Sequence, residues 1–168
     1  MDYEYMPKPD NKRVKGICTA LFVGSVILFF ASGFEAMQLP WLMQFIAICM
    51  LTVSISLMGR YLLRYYLYRI ERNGERYDFT VDEITKRGRV TVCRLGLSQL
   101  YDVKPWNGDT KPKGSAKVYN YCAEARPKES WLLIFEDGGV DVYIRIAPDE
   151  TMKNLLQNAA VNREESAQ

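Results

Sequence analysis

Two long apolar runs occupy the first third of the chain, and the pattern changes character after them. Residues 16–34 read GICTALFVGSVILFFASGF without one charged side chain. As a helix this run spans about 28 Å, close to the hydrocarbon thickness of a bilayer. Glu35 ends it. Pro40 and Trp41 open a second run, WLMQFIAICMLTVSISLMG, which lasts until Arg60. Proline at a helix start forfeits no hydrogen bond, and tryptophan suits a membrane interface. The few residues from Glu35 to Leu39 predict that the two helices return antiparallel, as a hairpin. Gly16, Ala20 and Gly24 share one helical stripe, and Thr52 and Ser56 form a similar small polar stripe on the second run. These predict close packing within the hairpin or against another membrane protein.

From Arg60 to Arg72 the chain reads RYLLRYYLYRIER, with no breaker before Asn73-Gly74. This predicts that the second helix continues to Arg72 as a rigid stalk. Arg60, Tyr61, Arg64 and Tyr65 would lie at the membrane interface with Tyr66 and Tyr68, the arginines facing phosphates.

From Glu75 onward short alternating runs are split by turn residues, the pattern of strands. Seven are predicted: 75–81, 83–88, 89–95, 99–106, 117–125, 130–137 and 140–146. The first pair would join at a Val81-Asp82-Glu83 turn. Asp137-Gly138-Gly139 is a strong hairpin signal. NGDTKPKGS, following Trp106, is the long loop. Pro148-Asp149-Glu150 then opens a helix, with Met152, Leu155, Leu156 and Ala159 on one apolar face. The tail NREESAQ is expected to fray. The resulting division is an N-terminal tail over 1–15, a transmembrane hairpin with stalk over 16–72, and a β domain over 73–168.

Charge adds an orientation. Net charge is +2 over 168 residues, too small a field to indicate a nucleic-acid partner. Residues 1–72 carry eight Lys/Arg against five Asp/Glu, while 73–168 carry fourteen against fifteen. Lys8, Lys12, Arg13 and Lys15 precede the first run and Arg60, Arg64, Arg69 and Arg72 follow the second. The connection holds only Glu35. Both termini are therefore expected in the cytoplasm of a multi-pass protein of the cell membrane. A cleaved signal peptide ending near Ala31-Ser32-Gly33 is the competing reading. The apolar run is long for a signal core, and the second helix would still leave the C-terminal domain inside.

Seven short antiparallel strands and one amphipathic helix resemble the bacterial pleckstrin-homology-like (PH-like) domains found behind two transmembrane helices. The likeness covers residues 60–163 and rests on YDFTVDEITKRG, LSQLYDVK and VYIRIAPDETMKNLL in that order. It implies a mainly-β fold, a partly open seven-stranded barrel plugged at one end by the C-terminal helix. The Lys-rich loop matches no part of that pattern.

Candidate chemistry is sparse. With no histidine, Ser/His and Cys/His catalysis and imidazole-held zinc are excluded. Cys18, Cys49, Cys93 and Cys122 lack metal-ligand spacing and read as small apolar fillers. No base sits beside a nucleophile in any motif, so neither an enzyme nor a cofactor is expected. The leading expectation is a membrane-anchored scaffold that binds a partner protein at the inner membrane face, with a homo-oligomer as the other partner reading. Trp106 is a candidate contact, whereas Trp131 reads as core. The alternative is anionic-lipid recognition through Lys86, Arg87 and Arg89 at a hairpin tip, with Lys104, Lys111, Lys113 and Lys117 along the loop. That tip resembles the one PH domains present to phosphates.

Overall fold

The computed structural model describes residues 2–33, 39–107 and 117–166, with the backbone alone over 164–166. Glu35 and most of the loop, including Lys111 and Lys113, lie outside the described residues. The chain divides into two compact units, Asp10–Arg64 and Met1–Pro9 joined with Tyr65–Gln168.

The first unit is a pair of helices, α1 (Lys12–Ala31) and α2 (Pro40–Tyr61), each long and apolar enough to cross a membrane. They are antiparallel: the Asn11 amide, at the start of α1, donates to the carbonyl of Tyr61, at the end of α2 (2.7 Å). Their contact faces are small. Cys18, Ser25, Ala47 and Ser54 are buried, and the Ser54 hydroxyl donates to the Cys18 carbonyl at 3.0 Å. Small residues let the backbones approach closely, and the hydroxyl finds an acceptor without water. Of the expected stripe, only Gly24 lies near α2, where an added Cβ would meet Met50; nothing lies near Gly16. Ala20 is exposed, as are Thr52 and Ser56, whose hydroxyls bond back to Ile48 and Thr52 of their own helix. Only 11% of either apolar window is buried, so these are not the core helices of a globular domain.

Among its described residues the second unit carries eight strands in two four-stranded sheets. The first sheet runs β1 (Tyr3–Tyr5), β2 (Tyr65–Asn73), β3 (Arg76–Thr85) and β4 (Gly88–Gly96) in spatial order, all antiparallel. A short 3-10 helix (Leu97–Gln99) leads to β5 (Leu100–Pro105). Then come β6 (Val118–Asn120), β7 (Trp131–Asp137), β8 (Val140–Ile146) and α3 (Glu150–Ser166). The second sheet has the order β5-β7-β8-β6, with β6 parallel to β8. One core lies under both sheets and α3. Tyr68, Phe79, Leu133, Phe135, Ile144, Ile146, Met152 and Leu156 are fully enclosed, or nearly so. The Phe79 and Phe135 rings stack across it with centroids 6.0 Å apart.

Five expectations need correction. The stalk is not helical, because Tyr65–Asn73 is β2 and belongs to the β unit. Its Tyr66, Tyr68 and Ile70 alternate into the core, a period-two pattern that aromatic and β-branched residues favour and that the long apolar run upstream disguised. Tyr66 and Tyr68 are therefore core residues rather than interfacial ones. Second, Val81-Asp82-Glu83 is not a turn. β3 runs straight through it, opposite a bulge in β4, since Thr91 and Cys93 pair with Asp82 and Val81 while Val92 is left over. Third, the strand expected over 117–125 shrinks to Val118–Asn120. Fourth, α3 continues to Ser166, and Arg163 ties its end down by bonding the Gln99 carbonyl and Glu136 (2.9 and 2.6 Å). Fifth, the described residues form two sheets and no closed barrel, and the N-terminal tail supplies β1.

Other local signals hold. Gly138 and Gly139 take φ of +58° and +81°, the left-handed pair that a two-residue hairpin demands. Asp149 caps α3 by accepting the Met152 amide at 3.0 Å, and its other oxygen accepts the Tyr3 hydroxyl. That bond, with some burial, raises the Tyr3 pKa.

Candidate functional site

The β3–β4 hairpin brings together most of the polar chemistry that the sequence singled out. Lys86 and Arg87 form its two-residue tip, since Thr85 pairs with Gly88. Both are exposed, and neither enters an ion pair among the described residues. Arg89 points elsewhere. Its Nε and Nη2 donate to Asp82 at 2.7 and 2.6 Å. Arg69 Nε donates to the same oxygen at 2.9 Å, and the Thr91 hydroxyl donates to the other at 2.6 Å. The Asp82 side chain is wholly enclosed. Burial pushes its pKa up, but the Thr91 and Arg89 hydrogen bonds and the two guanidinium charges outweigh that and hold it below the ordinary value. This pairing is what lets an aspartate sit in mid-strand. Beside it the buried Thr80 hydroxyl has no hydrogen-bond partner among the described residues.

The tip also has a definite place in the sheet. Tyr65 opposes Ile84, so Lys86 and Arg87 stand at the end of the sheet where the chain enters from α2. β1 runs antiparallel to β2 and leaves toward that same end.

Among the described residues β4 is the long open edge. β1 and β6 have three residues each, and α3 packs beside β5. Val90 is 64% exposed and Val92 37%. The Val92 carbonyl accepts the Tyr121 hydroxyl at 3.4 Å.

The remaining candidates lie on the other sheet or beyond it. Lys104, at the end of β5, pairs with Asp102. Lys117, just before β6, lies over the Tyr119 ring at 5.2 Å. Trp106 is half-buried against Leu132, Ile134 and Tyr143, with the Arg145 guanidinium 5.0 Å from its ring centre. Trp131 is also half-buried, under Lys153. A cavity of about 480 Å³ opens between the β2–β3 turn, the 3-10 helix and α3. Its Arg163 is already held by Gln99 and Glu136. In the helical unit, Arg60 lies over the Tyr61 ring at 5.6 Å, in the last turn of α2. Arg64 follows that helix, and Tyr65 opens β2.

Reactive chemistry is muted. Burial pushes the Cys93 and Cys122 thiols up to about 11, so both stay protonated at neutral pH. No group of three His, Cys, Asp or Glu among the described residues is placed to hold a metal ion. Sequence reasoning found the tip but missed Asp82 and Arg69. The signal was present in an Asp82-Glu83 pair set between β-branched residues, with arginines on both flanking runs. No family model, curated protein or solved structure matches the chain.

Proposed function

We propose that this protein is a membrane-anchored docking module, which holds a β domain at the inner face of the cell membrane to bind a partner protein. The carrying observation is the splice. The apolar hairpin is inserted between β1 and β2, so both of its ends return to one β unit. A hairpin that crosses the bilayer twice would keep that unit on one side. Ile27, Phe30, Trp41, Phe45 and Ile55 are all at least 60% exposed on the helices, apolar surface that lipid would cover. Lys8, Lys12, Arg13, Lys15, Arg60 and Arg64 flank the two chain ends of the hairpin and favour the cytoplasm. Two sheets sharing a core with a C-terminal helix support the PH-like reading of this unit; β1 is an addition to that pattern, and the parallel pairing of β6 departs from it.

The test is in-cell crosslinking of the tagged full-length protein, followed by co-purification and mass spectrometry. One dominant protein partner is expected. Recovery of only the chain itself and lipid would sink the docking reading. A reporter fused to the C-terminus and active only outside the cytoplasm would reverse the orientation.

One observation favours a second reading, contact with anionic lipid. Lys86 and Arg87 are exposed at the end of the sheet that joins the hairpin. Such residues contribute about 1 kcal/mol each near an anionic surface. Arg89 adds less, because Asp82 already holds it. Flotation of the protein with anionic and neutral vesicles, with and without Lys86→Ser and Arg87→Ser, tests this.

A further inference from the structure

We infer that the free edge of β4 accepts an extended, acidic segment of a partner protein as an added strand. This rests on the docking reading above and names its surface. Strand addition needs an edge with unpaired backbone groups and side chains that do not repel a newcomer. Natural edges are usually guarded by lysine, proline or charges along the rim. β4 reads GRVTVCRLG, with no lysine, proline or acid. Its two arginines turn onto the sheet face, Arg89 to Asp82 and Arg94 to Asp78 (2.9 Å), and two valines are left exposed.

The bulge at Val92 and the Tyr121 hydroxyl on its carbonyl interrupt the second half of the edge. The stretch left for pairing is Gly88–Thr91, with Val90 as its apolar contact. So short a ladder binds weakly by itself. Tethering to a bilayer shared with the partner compensates by raising local concentration.

Charge selects the occupant. Lys86 and Arg87 adjoin the open stretch without ion pairs among the described residues, and the Arg89 and Arg94 side chains keep 43% and 54% of their surface exposed. A second copy of β4 would set cations against cations across the new ladder, which is destabilising. A segment with Val, Ile or Thr in alternation and Glu or Asp at its ends meets both the valine and the cations.

The full-length protein in nanodiscs is titrated with fluorescent peptides that alternate Val and Thr, flanked either by Glu or by Lys. The Glu-flanked peptide is expected to bind at least about tenfold more tightly and to lose affinity as salt rises. Amide exchange should slow over residues 88–91. Val90→Glu should weaken binding by about tenfold or more, while Val161→Glu, on the exposed face of α3, leaves it unchanged. Absent binding, equal binding of both peptides, or slowed exchange elsewhere overturns the inference. So does self-association that Val90→Glu abolishes, because the occupant is then a second copy. Photo-crosslinkers placed in cells at Val90, Tyr119, Val140 and Val161 separate the two levels. Adducts only away from Val90 remove this edge and leave the docking reading standing. No adduct at any position removes both.

Discussion

Replacing Asp82 by asparagine keeps the shape of the side chain and removes the charge that two guanidinium groups share. Removing one member of a fully buried ion pair costs about 3–5 kcal/mol, because the other charge is stranded. Here Arg69 keeps Glu71 as an ion partner, and the Arg89 side chain is 43% exposed to water, so part of the loss is recovered. The new amide oxygen still accepts one donor. The expected cost is therefore about 2–3 kcal/mol. Asp78→Asn is the control: its partner Arg94 is 54% exposed, and the expected cost is below about 1 kcal/mol. Urea unfolding of the full-length protein in micelles measures both. Tryptophan fluorescence reports the β unit once Trp41→Phe has silenced the helical one. The difference should also depend on pH. A carboxylate whose folded pKa is depressed adds stability above its unfolded value, and that stability is lost as pH falls through the folded value. The gap between the parent and Asp82→Asn should hold from neutral pH to about 5 and close below the ordinary 3.8. Equal stabilities at neutral pH, or a gap that persists in acid, would refute this account of the mid-strand aspartate.

Three other outcomes are expected. Thr80→Val removes a buried hydroxyl that has no partner among the described residues and should stabilise the β unit by about 1 kcal/mol in the same urea assay. Gly139→Ala forces a left-handed φ of +81° on a side chain and should destabilise the β7–β8 hairpin by about 1–2 kcal/mol, read as a lower melting temperature. Ser54→Ala removes the hydroxyl bonded to the Cys18 carbonyl and should cost about 0.6–1.7 kcal/mol of helix–helix stability, measured by titration of the micelles with SDS.

What the sequence disclosed follows the strength of its periodicities. The helices were legible because long charge-free runs have few other uses. β7, β8 and their Gly-Gly turn were legible because alternation and turn chemistry agree. Tyr65–Asn73 was misread because its alternation is hidden among tyrosines and arginines that suit a membrane interface equally well. Asp82 was misread because an acid within a β-branched run signals a turn unless its ion partners are known. Those partners come from β2 and β4, outside any local window. The tip cations Lys86 and Arg87 were visible directly. That Arg89 serves Asp82, and that β4 is an edge, depend on the order of strands in space. β1 gave no signal, for three residues carry no period.

That small strand gives the fold a temporal order. Tyr3–Tyr5 meets β2 only after the whole of Asp10–Arg64 has been made, and closing so long a flexible loop would cost about 3–4 kcal/mol in chain entropy. Three residues of pairing do not offset such a cost alone. An assembled helical pair removes most of it, since the Asn11–Tyr61 bond already holds the two ends of the insertion together. The N-terminal strand then reaches β2 at a high effective concentration. Its docking, with Tyr3 on the cap of α3, becomes a latch that closes only on chains whose helices have paired. A chain with one helix misplaced would leave β2 as an open edge, the kind of unpaired strand that invites pairing with another chain.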